Sequence, residues 1–187
     1  MLRRHAFYES CARMEKGALS ANRILKGVII LLVLPLLSPV RAVAEQFQVY
    51  KVVDGNTLMV RNEKDQKITV RLIGIDAPEP STSNGESGQP FGHRSAKHLA
   101  SLVLGRVVDI QPYGLDGFGR MWGEVFAGDK NINLEMVRAG FAEVFRGKSA
   151  EGLSVAAYWE AEMEAREANR GMWAQGDHYV SPRDWKK

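Results

Sequence analysis

Apolar and polar residues alternate from Gln46 onward in QFQVYKVV, and a period of two is that of a strand with one buried face. The stretch DGNT, Asp54 to Thr57, is a turn signal, and TLMVRN reads as the returning strand. A polar turn, EKDQ, leads into a third strand, KITVRLIGI, so three antiparallel strands form a meander. The Pro-, Gly- and Ser-rich stretch from Asp76 to Pro90 predicts an irregular surface loop. The period then changes: FGHRSAKHLASLVL spaces its apolar residues as a helix does, and Gly105 ends it. Two more strands, RVVDIQPY and RMWGEVF, are joined by GLDGFG. NINLEMVRAG predicts a short helix, FAEVF a brief extended piece, and SVAAYWEAEMEAREANRG a last helix closed by glycine. The tail MWAQGDHYVSPRDWKK has no clear period.

Three strands, a helix, two strands and two helices make an α+β chain that is mainly β. That order suits an OB-type five-stranded β-barrel with three helices, an architecture that often receives oligonucleotides. The acidic run EAEMEARE, Glu160 to Glu167, reads as a solvated helix face with Glu162 and Arg166 one turn apart.

Residues 1–44 follow another plan. A basic stretch precedes the uncharged 14-residue run GVIILLVLPLLSPV, and Ala42-Val43-Ala44 follows it, the order of a secretory signal with cleavage expected after Ala44. A membrane-spanning helix needs about 20 apolar residues, and this shorter run carries Pro35 and Pro39. Seven of the 25 Lys/Arg and two of the 22 Asp/Glu lie in this leader, so residues 45–187 carry 18 basic and 20 acidic side chains. The basic balance of the whole chain therefore belongs to the leader, and any attraction for phosphate must be local. The single cysteine, Cys11, also precedes Glu45, which leaves neither disulfide nor thiol nucleophile in residues 45–187. Those residues are enough for one core, and one domain is expected, secreted or periplasmic, in contact with a membrane only through the leader before cleavage.

Two segments carry candidate chemistry. In RLIGIDAPEP, strand alternation sets Arg71, Ile73 and Ile75 on one face, and Asp76 and Glu79 follow where the strand opens into a loop. An arginine on an apolar face is usually a snorkelling or ion-paired structural residue. With two carboxylates beside it, one segment can supply a phosphate clamp, a metal ligand and a base. In LDGFGR, Gly117 and Gly119 form a turn that delivers Arg120; alone this is only a hairpin. His93, His98 and His178 make no metal-ligand pattern, and Trp122, Trp159, Trp173 and Trp185 read as core or tail-docking residues.

Taken in order, DGNT, RLIGIDAPE, DGFGR and NLEMVRAGFAEV, with GMW and the SPRDW tail after them, resemble the staphylococcal nuclease (thermonuclease) family from about residue 47 to the end. The resemblance implies an OB-type barrel and calcium-dependent hydrolysis of DNA and RNA phosphodiesters to 3'-phosphate products. By position it implies Arg71 and Arg120 at the scissile phosphate, Glu79 as general base, and Asp76 with the main-chain carbonyl of Ala77 as calcium ligands. It places Phe118 where the family often has tyrosine, and Phe145 in a segment that lacks the family's base-stacking tyrosine pair. The family's usual DGDT is here DGNT, so Asn56 stands for a second acidic ligand. Its amide oxygen is neutral, and site charge tunes calcium affinity. Weak calcium binding, partial substitution by Asp54, and a site that only binds nucleic acid are all compatible with that change. The expectation is an exported monomeric bacterial nuclease, a hydrolase using Ca2+, with DNA and/or RNA as its partner and no protein partner indicated. The alternative is an OB-fold nucleic-acid-binding module with weakened or lost catalysis.

Overall fold

The computed structural model describes residues 45–81, 85 and 87–186, all within one unit, Ala44–Lys187. The expected signal segment and its cleavage point lie outside the described residues.

β1 (Gln46–Asp54), β2 (Thr57–Arg61) and β3 (Lys67–Leu72) pair as the antiparallel meander that the alternation predicts. α1 (Gly92–Val103) crosses to β5 (Val107–Leu115), which pairs with both β1 and β6 (Met121–Ala127). The barrel closes where β3 runs parallel to β6, in the register Val70↔Met121, Arg71↔Trp122 and Leu72↔Gly123. The closed five-stranded barrel with helices agrees with the expected OB-type fold. Short additions complete it: β4 (Ile75–Asp76) pairs with β8 (Glu143–Val144), and β7 (Lys130–Asn131) extends β6. α2 (Ile132–Arg138) and α3 (Ala156–Glu167) supply the other two main helices.

Val49, Leu58, Val60, Val70 and Val125 are fully buried inside the barrel, and Leu99 and Val103 of α1 with Met136 and Val137 of α2 close over them. Each such side chain contributes about 1.5–3 kcal/mol on burial, so the alternating apolar positions carry most of the fold. The tail, which shows no period, is ordered by docking. A 3-10 segment, Gly171–His178, buries Met172 and Trp173 against Ala165, and a one-turn helix, α4 (Pro182–Trp185), follows with Ser181 as its cap.

Two sequence expectations change. KITVRLIGI is not one strand: β3 stops at Leu72, so the alternation that would align Arg71 with Ile73 and Ile75 is broken by a turn at Ile73-Gly74. The acidic face of α3 is not wholly solvated either. Glu162 is buried, accepts the Val144 N–H at 2.6 Å and pairs with Arg146 and Arg166. At the end of β8 the Val144 N–H is met by this carboxylate from the neighbouring helix.

α3 is bolted to the barrel through Glu124, which accepts the Tyr158 hydroxyl at 2.5 Å, the Tyr113 hydroxyl at 2.7 Å and the Asn131 amide at 2.8 Å. Burial first, and the bond to Glu124 second, push the Tyr158 hydroxyl well above its ordinary value. The folded state thus holds a proton that the unfolded chain releases near pH 10. The associated stability is complete below that pH and is lost as pH rises through the folded value, by about 1.4 kcal/mol per pH unit. Tyr158→Phe is expected to cost about 1–3 kcal/mol at neutral pH, because the carboxylate loses a donor. It should also flatten the decline above pH 10, and urea midpoints from pH 7 to 11 measure both effects.

Candidate active site

The site begins where β3 leaves the barrel. Gly74 adopts φ +79°, a left-handed turn that glycine takes without steric cost. The turn is held by N–H donation from Leu72 to the Asn56 carbonyl (2.8 Å), from Ile73 to Gly123 (3.0 Å) and from Phe145 to Gly74 (2.9 Å). Asn133 of α2 completes it from below. Fully buried, it donates to the carbonyls of Ile73 (2.9 Å) and Gly123 (3.1 Å) and accepts the Val125 N–H (3.0 Å). Sequence reasoning missed this residue; its one signal was a polar side chain on the apolar face of NINLEMV.

Past that turn, Asp76 is buried in the β4–β8 ladder opposite Glu143. Its Oδ1 accepts from Arg71 Nη2 at 3.1 Å and Lys186 Nζ at 2.7 Å, with Asn56 Nδ2 at the longer distance of 3.4 Å. Arg71 also donates to Thr57 Oγ1 at 3.3 Å, so its guanidinium is braced by two strands. Asn56 is buried too, and its Oδ1 has no hydrogen-bond partner. A buried carbonyl-type oxygen without a donor is unusual and costly, and it suits a hard cation or a water. Asp54 is tied back to the Asn56 N–H at 2.8 Å, and burial pushes its carboxyl above the ordinary value against the pull of that N–H and of Arg71. Ala77 is buried, with its side chain beneath Gly55.

Glu79 follows on the loop, and its carboxylate is about one-third exposed and reaches Lys186 Nζ at 2.8 Å. Its main chain is fixed by Gln89, whose N–H donates to the Glu79 carbonyl at 2.8 Å. Gly92 permits this approach, because a Cβ there would lie 2.1 Å from the Glu79 oxygen. Glu79 is thus fixed through its main chain, with its carboxylate at a partly solvated position beside Lys186.

Arg120 is delivered by the hairpin between β5 and β6, which is a tight turn as read from its glycines. What the sequence did not single out is Asp116. Its carboxylate accepts the N–H groups of Phe118 (2.8 Å) and Arg120 (2.9 Å) and the Arg120 Nε at 2.6 Å. Burial pushes this carboxyl up, but those bonds together hold it below its ordinary value, so it stays charged. The parallel β3–β6 register brings Arg71 and Arg120 to one cleft of ≈ 260 Å³, shared with Phe118, Trp122, Phe145 and Lys148. Phe118 is 86% exposed and Phe145 43% exposed at its rim, so both present ring surface to the cleft rather than to the core.

The staphylococcal nuclease homologue family matches residues 69–175, more than half of the chain and the stretch that contains Arg71, Asp76, Glu79 and Arg120. The chain belongs to the staphylococcal nuclease family. Among relatives of this family member is an uncharacterized endonuclease of Haemophilus influenzae, 32% identical over 89% of this chain and 86% of that protein. Another is an uncharacterized endonuclease of Escherichia coli O157:H7, 35% identical over 74% of this chain and 83% of that protein. A probable endonuclease of Clavispora lusitaniae is 35% identical over 66% of this chain, which spans only 55% of that protein's length. Asn56 and Lys186 both lie outside the residues matched by the family.

Among the described residues no three His, Cys, Asp or Glu side chains form a group that could hold a metal on their own. A cation here needs neutral oxygens as well, and Asn56 Oδ1, buried without a donor on the amide whose Nδ2 faces Asp76, is an oxygen of that kind.

Proposed function

We propose that this chain is an exported nuclease that hydrolyses phosphodiester bonds of DNA and/or RNA with the help of a divalent cation, calcium being the expected one. The observation that carries the reading is the meeting of two arginines at one cleft, Arg71 from β3 and Arg120 from the β5–β6 hairpin, with Arg71 also paired to Asp76. A phosphodiester approaching attack already carries negative charge and gains more, and preorganised guanidinium groups are suited to it because they bind two oxygens and never lose their charge.

In this mechanism Arg71 and Arg120 hold the phosphate, and Glu79 accepts a proton from a water as its oxygen bonds to phosphorus. The bond from phosphorus to the leaving 5'-oxygen breaks, that oxygen takes a proton, and the phosphate remains on the 3' side. Asp76, Asn56 Oδ1 and the Ala77 carbonyl would hold the cation, with Asp54 as a further partner. When bound, it supplies positive charge that offsets the charge developing on the phosphate. Phe118 and Phe145 offer stacking surface for a base. The leader would direct the protein to the periplasm or the exterior.

A binding module without turnover is the second reading, favoured by the neutral Asn56. One titration separates the two: cleavage of single-stranded DNA followed as calcium is raised, with a chelator control. Cleavage that rises with calcium is expected, and DNA binding without cleavage at every calcium level overturns the enzyme. In the same assay Asn56→Asp should shift the midpoint to lower calcium by about an order of magnitude, since a formal charge joins the ligand set. Without calcium, that added buried carboxylate beside Asp76 and Asp54 should lower the melting temperature, and calcium should restore it.

A further inference from the structure

The C-terminal segment supplies a cation of its own to the site. Lys186 Nζ lies between the two carboxylates, 2.7 Å from Asp76 Oδ1 and 2.8 Å from Glu79 Oε1, with the lysine side chain about one-third exposed. It comes from 110 residues along the chain from Asp76. Its arrival is not that of a wandering surface lysine, because the segment leading to it is fastened at two earlier points. Tyr179 donates its hydroxyl to the buried Glu143 at 2.6 Å, and Glu143 is paired with Asp76 across the β4–β8 ladder. Gln89, the residue that fixes the Glu79 main chain, donates its Nε2 to the Val180 carbonyl at 2.7 Å. From there Ser181 caps α4, which ends at Trp185 immediately before Lys186. The two anchors hold the partners of those carboxylate segments, Glu143 across the ladder from Asp76 and Gln89 on the Glu79 main chain.

We propose that the segment 179–186 is a strap whose Lys186 ammonium occupies the ground between Asp76 and Glu79, so that a divalent cation must displace it to bind. The inference rests on the reading of Asp76 as a cation ligand. Asp76 Oδ1 already accepts from Arg71 and Lys186. A cation drawing on that oxygen must take it from one of them, and Arg71 is the more firmly braced. Arg71 side chain is 17% exposed and also bonded to Thr57, whereas Lys186 sits on a flexible stem at the end of a one-turn helix. With the strap closed the ammonium also ties up the Glu79 carboxylate, the group proposed to take the proton from water. Cation entry and release of the base are therefore the same event, and the strap ties activity to the calcium level around the protein.

If the closed strap predominates about nine to one, apparent calcium affinity is lowered about tenfold relative to a chain without the ammonium, and a charge-keeping variant should stay within about twofold of native. Calcium titration calorimetry at low ionic strength on the native protein, Lys186→Met and Lys186→Arg reads this directly. The expected result is tighter binding by Lys186→Met and native-like binding by Lys186→Arg, with the difference shrinking as salt is raised. Hydrogen–deuterium exchange of the native protein gives a second readout that needs no variant: uptake in the peptide covering 179–186 should rise on calcium saturation. Equal affinity of native and Lys186→Met, or uptake unchanged by saturating calcium, overturns the strap while leaving the cation site standing. If none of the three proteins binds calcium, the strap falls together with the cation reading.

Discussion

Replacing Glu79 with glutamine is expected to lower the rate of phosphodiester cleavage by about 10² to 10⁴, the usual contribution of a positioned general base, while nucleic-acid affinity is kept. The amide preserves the shape of the side chain and can still accept from Lys186, but it cannot take a proton from water. Binding is expected to survive because in the proposed mechanism the phosphate is held by Arg71 and Arg120, which come from different elements and pair with Asp76 and Asp116. The fold survives because the segment is fixed through its main chain, by Gln89 and by the close approach of Gly92, and not through the carboxylate. Single-turnover cleavage and filter binding on the same substrate separate the two quantities. Native-like cleavage by the variant would move the base elsewhere, and the half-buried Asp54, with its carboxyl already pushed up by desolvation, would be the group to replace next.

Arg71→Lys is expected to cost about 10² to 10³ in rate, as for loss of one preorganised donor at a developing charge. The substitution keeps the formal charge, so charge alone would predict little effect. What it removes is the planar fork: in the protein one guanidinium nitrogen is held by Asp76 and another by Thr57, which fixes the plane that faces the cleft. Lysine offers a point charge on a flexible stem and cannot hold both braces while meeting a phosphate. The loss should appear mainly in kcat, because a bidentate grip matters most when the phosphate oxygens carry the charge of the transition state. A change confined to KM would make Arg71 a binding residue only.

Much of the fold was open to reading because it rests on local periodicity. Period-two stretches became β1, β2, β3, β5 and β6, and helical spacing became α1, α2 and α3, since burying one face of each element is the main driving force and leaves its mark in the sequence. The tail left no such mark. Met172 and Trp173 bury against α3 and Tyr179 against Glu143, contacts between segments that no window of sequence contains. Glu162 was misread for the same reason, because its partner is an N–H at the end of β8 and not a neighbour on its own helix.

The site divides along the same line. Local spacing already crowds Arg71, Asp76 and Glu79 around one strand end, because they are close along the chain, and puts Arg120 just after a glycine turn. The three-dimensional fold is what sets β3 and β6 side by side in parallel, bringing Arg71 and Arg120 to one cleft. It alone decided that Asn56 Oδ1 is buried without a donor and that Lys186 closes over the carboxylates from the far end of the chain. Spacing along a chain fixes which groups can be neighbours on one element. Which elements then meet is set by barrel closure and by the docking of the tail, through contacts spread over many residues, none of which announces its partner.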